Sequence, residues 1–99
     1  MSVVETEDLQ TPSMRLDGLT AVVTGAGRGL GEGIATALGD AGAEVVLVSR
    51  TKAELDAVAD TITQRGGKAT PLVCDVTDTA QVIEKIGGLD RIDILMNNA

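Results

Sequence analysis

The amino-acid sequence predicts an α/β fold around a parallel, doubly wound sheet, and three observations carry that prediction. From Leu19 onward, short β-branched runs alternate with segments of helical periodicity, the signature of successive βαβ units. The run Val45-Val46-Leu47-Val48 is apolar at consecutive positions, as a strand covered on both faces requires, and it is therefore expected to be central. The run Thr24-Gly25-Ala26-Gly27-Arg28-Gly29-Leu30-Gly31 stands where the first strand gives way to a helical pattern and reads as a phosphate-binding turn.

Strands are expected over 20–24, 44–49, 69–74 and 93–96. A first helix over 29–41 follows from Ile34, Ala35, Leu38 and Ala41, which recur at i, i+1, i+4 and i+7, with Gly42 placed to end it. The second helix is announced by Thr51 and Glu54, a capping-box pair, and buries Leu55, Val58, Ala59 and Ile62 before Gly66-Gly67 stops it. A third, short helix starts with Asp78 and Gln81 in the same spacing, turns Val82 and Ile86 inward and ends at Gly87-Gly88. Right-handed crossovers make the first three strands step one way across the sheet with their two helices on one face. The fourth strand returns to the far side of the first, which gives spatial order 3-2-1-4 and a crevice outside the ends of the first and fourth strands.

Composition narrows the partners. The chain has 99 residues, room for one small domain, and its hydrophobic fraction of 43% suits a globular core. No apolar run approaches the ~20 residues of a membrane-spanning helix, so no membrane partner is expected. The net charge of −7 comes from 15 acidic and 8 basic residues scattered along the chain, with no basic stripe for nucleic acid. A dinucleotide is compatible with that charge, because backbone N–H groups and one or two local arginines can hold phosphate in an acidic protein. Cys74 is the single cysteine and there is no histidine, so neither an internal disulfide nor a metal-ligand set around it is expected. Cytoplasmic location follows as an expectation. Residues 1–15, with Glu5, Glu7 and Asp8, lack the apolar core of a leader and are expected to be a disordered acidic tail ahead of a partial dinucleotide-binding domain over 16–99; Met14 is an alternative initiator.

Each glycine of the turn has a physical reason. Gly25 permits a sharp exit from the strand, Gly29 lets the backbone approach a pyrophosphate, and Gly31 is expected to allow close packing of helix on sheet. A glycine-rich turn without a ligand carries the same local pattern, and the rest of the chain has to decide. Thr24-Gly25-x-x-x-Gly29-x-Gly31 after the first strand, Asp75-Val76 after the third and Asn97-Asn98-Ala99 at the end of the fourth resemble the short-chain dehydrogenase/reductase superfamily, in the group whose turn reads T-G-x-x-x-G-x-G. Leu30 and Arg28 set this turn apart from the G-x-G-x-x-G and T-G-x-x-G-x-x-G variants. The resemblance spans 16–99, and the stretch between Asp75 and Asn97 is about one helical turn shorter than it implies.

The resemblance implies the N-terminal half of a Rossmann-type sheet in an NAD(P)-dependent oxidoreductase that interconverts an alcohol and a ketone by hydride transfer. By position, Gly25, Ala26, Gly27, Arg28, Gly29 and Leu30 would wrap the pyrophosphate. Asp75 would bond the adenine amino group with the Val76 backbone beside it, Asn97 would sit on the ribose side, and Ala99 would line the floor. Asp75 as a turn former and Asn97 as a structural clamp remain open. A carboxylate at the end of the second strand would accept from both ribose hydroxyls and repel a 2′-phosphate; Ser49 stands there, followed by Arg50 and Thr51. Arg50, with Ser49, Thr51 and Arg28, therefore points to NADP over NAD, the alternative being that both arginines are solvated surface charges.

The family's Asn, Ser and Tyr-x-x-x-Lys chemistry lies beyond this segment, and the chain has no tyrosine, so no residue is assigned a catalytic role. The expectation is the N-terminal part of a longer, homo-oligomeric enzyme acting on a small hydroxyl or carbonyl compound. On its own it would be inactive, marginally stable, and left with an apolar edge at Ile92, Ile94, Leu95 and Met96. The alternative is a non-enzymatic dinucleotide-binding or interaction module that ends at residue 99.

Overall fold

The structure is a computed structural model and describes residues 15–98. The proposed tail up to Met14, and Ala99, lie outside the described residues. Arg15, read as the last residue of the tail, joins the fold. Its guanidinium donates to the Asp40 carbonyl and to Asp17, both at 3.0 Å.

The chain runs β1 (Thr20–Thr24), α1 (Gly29–Asp40), β2 (Glu44–Ser49), α2 (Lys52–Gln64), β3 (Lys68–Val73), α3 (Thr79–Gln81) and β4 (Ile94–Asn97), and α3 continues into a π-helical turn, Val82–Ile86. All pairings are parallel and the sheet order is β3-β2-β1-β4, as the crossover argument requires. The first two strands fall where the pattern places them. The third starts one residue earlier, because Lys68 already pairs with Glu44, and Cys74 continues the ladder by donating to the Ser49 carbonyl at 2.9 Å. The fourth starts one residue later, where Asp93 anchors the entry. Its N–H donates to the Thr20 carbonyl at 2.8 Å and its carboxylate accepts from the Thr20 N–H at 2.7 Å. Pro71, which lacks a donor, is tolerated in β3 because that strand has a neighbour on one side only.

The period-2 alternation of the central strands divides the core. Ala21, Val23, Val45 and Leu47 face α1 and α2, where they join Ala35, Leu55, Val58, Ala59 and Ile62. Val22, Val46, Val48 and Cys74 face the other way, against the partly buried Val82, Ile86 and Leu89. The two main helices meet closely at Gly39, where a Cβ would come within 2.8 Å of Ile62 Cγ2. Leu95 on β4 and Ile83 on the π-helical turn remain exposed.

Helix boundaries follow the sequence signals with one correction. Gly42, at φ +101, ends α1 and the Ala43 N–H closes onto the Leu38 carbonyl. Asp78 caps α3 by accepting from the N–H groups of Ala80 and Gln81. Thr51 is the N-cap of α2 by backbone geometry, but its side chain makes no cap bond, and Glu54 does not reach back to it. The expected capping box is therefore absent. The Glu54 carboxylate lies instead between Gly27 and Arg28, where a charge partner and the missing Cβ of Gly27 offer it a place.

Candidate functional site

Parallel strands deliver their carboxyl ends to one edge, so the segments after β1, β2 and β3 converge there. Gly25 and Gly29 both adopt φ +63, the left-handed region that turns the chain out of β1 and into α1. The turn is tied down by the buried Ala26, whose N–H donates to the Val48 carbonyl at 3.2 Å. Gly31 is required for a different reason from the expected helix-on-sheet packing. A Cβ there would strike the Gly25 carbonyl oxygen of the turn itself and lie 2.8 Å from Asn98 Nδ2. Arg28, the N-cap of α1, is extended and makes no side-chain cap bond, so the first amides of α1 have no acceptor within the helix. These unspent donors and the positive end of the helix dipole suit an anion.

In front of the turn lies a cleft of about 370 Å³. Gly25, Gly27 and Arg28 line it from the turn, Val48, Ser49, Arg50, Thr51 and Glu54 from the β2–α2 junction, and Cys74, Asp75, Val76 and Thr77 from the segment after β3. Eight of the positions singled out in the sequence thus meet in one cavity. Thr24, Ala26, Gly29, Leu30, Gly31 and Asn97 do not line it. Leu30 is exposed at the start of α1. The cleft spans the ends of β1, β2 and β3, whereas the sequence placed the crevice outside β1 and β4. At the β4 exit, Asn98 lies against Gly31.

The cleft's charges are sparsely partnered. Arg28 is 86% exposed and its Nε stands 3.8 Å from Glu54 Oε2. Arg50 is exposed and makes no hydrogen bond among the described residues. The Ser49 hydroxyl accepts from the Thr51 N–H at 3.2 Å. Asp75 is oriented more firmly. Its Oδ1 accepts from the Thr77 hydroxyl at 2.6 Å and the Thr77 N–H at 2.9 Å, while its own N–H donates to Gln81 Oε1. The Thr77 hydroxyl, then the Thr77 N–H, with a smaller contribution from the Arg50 charge, hold the Asp75 carboxyl below its ordinary range against partial desolvation. Its Oδ2 accepts nothing from the described residues and is free to receive a donor.

Thr24 closes the site from below. Its hydroxyl donates to Asn97 Oδ1 at 3.0 Å and accepts from the Asn98 N–H at 3.0 Å, so β1 and β4 are latched where the glycine turn begins. Both asparagines are held by the fold, Asn97 through its side chain and Asn98 through its backbone.

A turn of this spacing, a carboxylate after the third strand and an asparagine pair closing the fourth are thus assembled around one edge, and the profile of the short chain dehydrogenase family matches residues 19–99. The chain belongs to the short-chain dehydrogenase family. It is 46% identical over 88 residues to an uncharacterised oxidoreductase of Mycobacterium tuberculosis, covering 85% of this chain and 34% of that protein. It is 44% identical over 87 residues to L-xylulose reductase of Bos taurus, covering 87% and 34%. Among solved structures, a metagenomic short-chain oxidoreductase in complex with NADP superposes with a TM-score of 0.82 at 42% identity, covering 85% of this chain and 40% of the other. The chain therefore spans about a third of the length of the curated relatives it matches.

Some residues that shape this short-chain dehydrogenase site were not singled out from the sequence. Val48 and Cys74 are the apolar residues that stand immediately before the polar positions Ser49 and Asp75. Thr77 carries a signal, since a Thr two residues after an Asp can donate twice to its carboxylate. Glu54 was hidden by its fit to a capping pattern, and Asn98 by standing next to the better-marked Asn97. Among the described residues no group of three or more His, Cys, Asp or Glu could hold a metal ion, and no helix is long and apolar enough to cross a membrane.

Proposed function

We propose that this chain is the cofactor-binding part of an NADP-preferring oxidoreductase that interconverts an alcohol and a ketone. The observation that carries the reading is the cleft in which Arg28, Ser49, Arg50 and Thr51 converge with no carboxylate at the end of β2. The residues fit a nicotinamide dinucleotide. Gly29 faces open space, with nothing within 4 Å of a built Cβ, so a pyrophosphate can reach the backbone there. The amides from Gly27 to Leu30 would hold it, the two arginines and the β2-end hydroxyls would bind the 2′-phosphate, and Asp75 Oδ2 would accept from the adenine amino group with Val76 beside it. Asn97 and Ala99 belong to the same proposed set, Asn97 by keeping the β4 exit in register with Thr24.

When bound, the cofactor supplies the hydride. The part of this chain is to grip its phosphate and adenine ends, so that binding energy is used for orientation. The substrate is a small hydroxyl or carbonyl compound, in keeping with L-xylulose reductase among the relatives. Titrating the chain with NADPH and with NADH, followed by the fluorescence of the reduced nicotinamide, tests the reading. NADPH is expected to bind at least about tenfold more tightly, the scale of one or two charge-assisted contacts. Tighter binding of NADH would overturn the NADP preference, and binding of neither would overturn the cofactor reading.

A further inference from the structure

We infer that Glu54 is a specificity-determining residue that restrains this site's preference for a 2′-phosphate. The inference rests on the cofactor reading above and adds a residue that works against it. Glu54 lies in the first turn of α2, but its carboxylate is not used as a cap. It extends across Gly27: a Cβ built on Gly27 would lie 2.8 Å from Glu54 Oε1, 3.0 Å from Glu54 Cβ and 3.4 Å from Ser49 Oγ. The other oxygen, Oε2, stands 3.8 Å from Arg28 Nε. Neither carboxylate oxygen accepts a hydrogen bond among the described residues. One negative charge, with a third of its side chain exposed, thus stands against Gly27 of the turn and beside Arg28, one of the groups assigned to the 2′-phosphate.

Two effects follow, and both act on the same selectivity. The carboxylate repels a phosphate that carries close to two negative charges, in a cleft where screening is weaker than in open water. It also draws Arg28 toward itself, so a 2′-phosphate has to compete for that guanidinium. A ribose 2′-hydroxyl meets neither penalty and can donate to a carboxylate. The sequence places no acidic residue at the end of β2, yet the fold returns one to the cleft from the next helix. Arg28 and Arg50 on one side and Glu54 on the other make the selectivity a balance of charges.

Glu54→Gln keeps the size and polarity of the side chain and removes the charge. Titration of the chain and of E54Q with NADPH and NADH is expected to raise the ratio Kd(NADH)/Kd(NADPH) by about fivefold or more, the scale of one charge pair near a surface. The rise should shrink at high salt and be smaller when E54Q is made in an Arg28→Ala background. If E54Q does not fold, judged by circular dichroism, Glu54→Asp draws the charge back by one methylene and should shift the ratio the same way by less. A ratio within about twofold of the starting value, or equal changes in both constants, overturns the inference and leaves the cofactor reading standing. A starting chain that binds neither dinucleotide overturns both.

Discussion

The two ends of the sheet carry similar raw material and spend it differently. At the amino end, beside the C-terminus of α1, a groove of about 380 Å³ is lined by Arg15, Asp17, Asp40, Arg65 and Lys68 together with Gly18, Gly39, Gly42, Gly66 and Gly67. At the carboxyl end a groove of about 370 Å³ is lined by two arginines, two carboxylates and two glycines of the turn. Size does not tell them apart. Pairing does. At the amino end Arg65 grips both oxygens of Asp40, at 2.8 and 2.5 Å, and Arg15 is shared between Asp17 and the Asp40 carbonyl. At the carboxyl end Arg28 has one distant carboxylate, Arg50 has no hydrogen bond among the described residues, and the amides at the start of α1 are uncapped. Groups satisfied by each other hold a fold together, and groups left without partners beside a cavity are prepared for a ligand.

The contrast can be broken most severely at a glycine. Gly31→Ala puts a Cβ onto the Gly25 carbonyl, a backbone atom that cannot swing aside, and is expected to cost about 2 kcal/mol or more and to abolish dinucleotide binding. Gly66→Ala at the other end faces open space at φ +87 and should cost about 1 kcal/mol, with binding unchanged. Chemical denaturation and cofactor titration of both variants measure the difference.

Removing one arginine from each end comes next. Arg50→Ala is expected to weaken NADPH binding about 10- to 100-fold with a much smaller effect on NADH, as loss of a charge-assisted contact implies. Arg65→Ala should leave both affinities within about twofold, since its partner lies outside the cleft. A smaller effect is expected at Asp75. Thr77→Val removes the 2.6 Å hydroxyl donor but keeps the N–H, so dinucleotide affinity should fall about threefold. The acid limb of its pH profile should move to higher pH, because the carboxyl loses the largest cause of its lowered pKa.

The smallest effect belongs to the amino end. Hydrogen bonds from Arg65 and Arg15 lower the pKa values of Asp40 and Asp17, so their contribution to stability is complete above the ordinary carboxylate range and is lost as pH falls through the lowered folded-state values. The melting temperature should stay level down to about pH 5 and fall below about pH 4. Asp40→Asn should flatten part of that fall without altering cofactor binding at neutral pH.

Most of the architecture was legible because two signals agree along it. Consecutive apolar residues in β2 and glycine stops after α1 and α2 marked elements that depend on local sequence and burial together. The single-residue shifts at β3 and β4 were not legible, since Lys68 and Asp93 are polar and their pairing depends on a neighbouring strand. The π-helical turn was not legible either, because the Val82 to Ile86 spacing serves an α-helix equally well. In the site, residues marked by chemical type and spacing were found, and eight of them share the cleft. Glu54 and Asn98 were missed because each owes its role to a contact between segments far apart in sequence, and the Gly25 neighbour of Gly31 because it depends on how the turn folds back on itself; local pattern carries no record of either.

The central claim is that the ligand belongs at the carboxyl end of the sheet, and amide chemical shifts of the isotope-labelled chain during NADPH titration test it most directly. The account predicts saturable changes at Gly27 to Leu30, Arg50 and Asp75, with Asp17, Asp40, Gly42 and Arg65 unmoved. Changes centred on the amino-end groove, or none at either end, would contradict it.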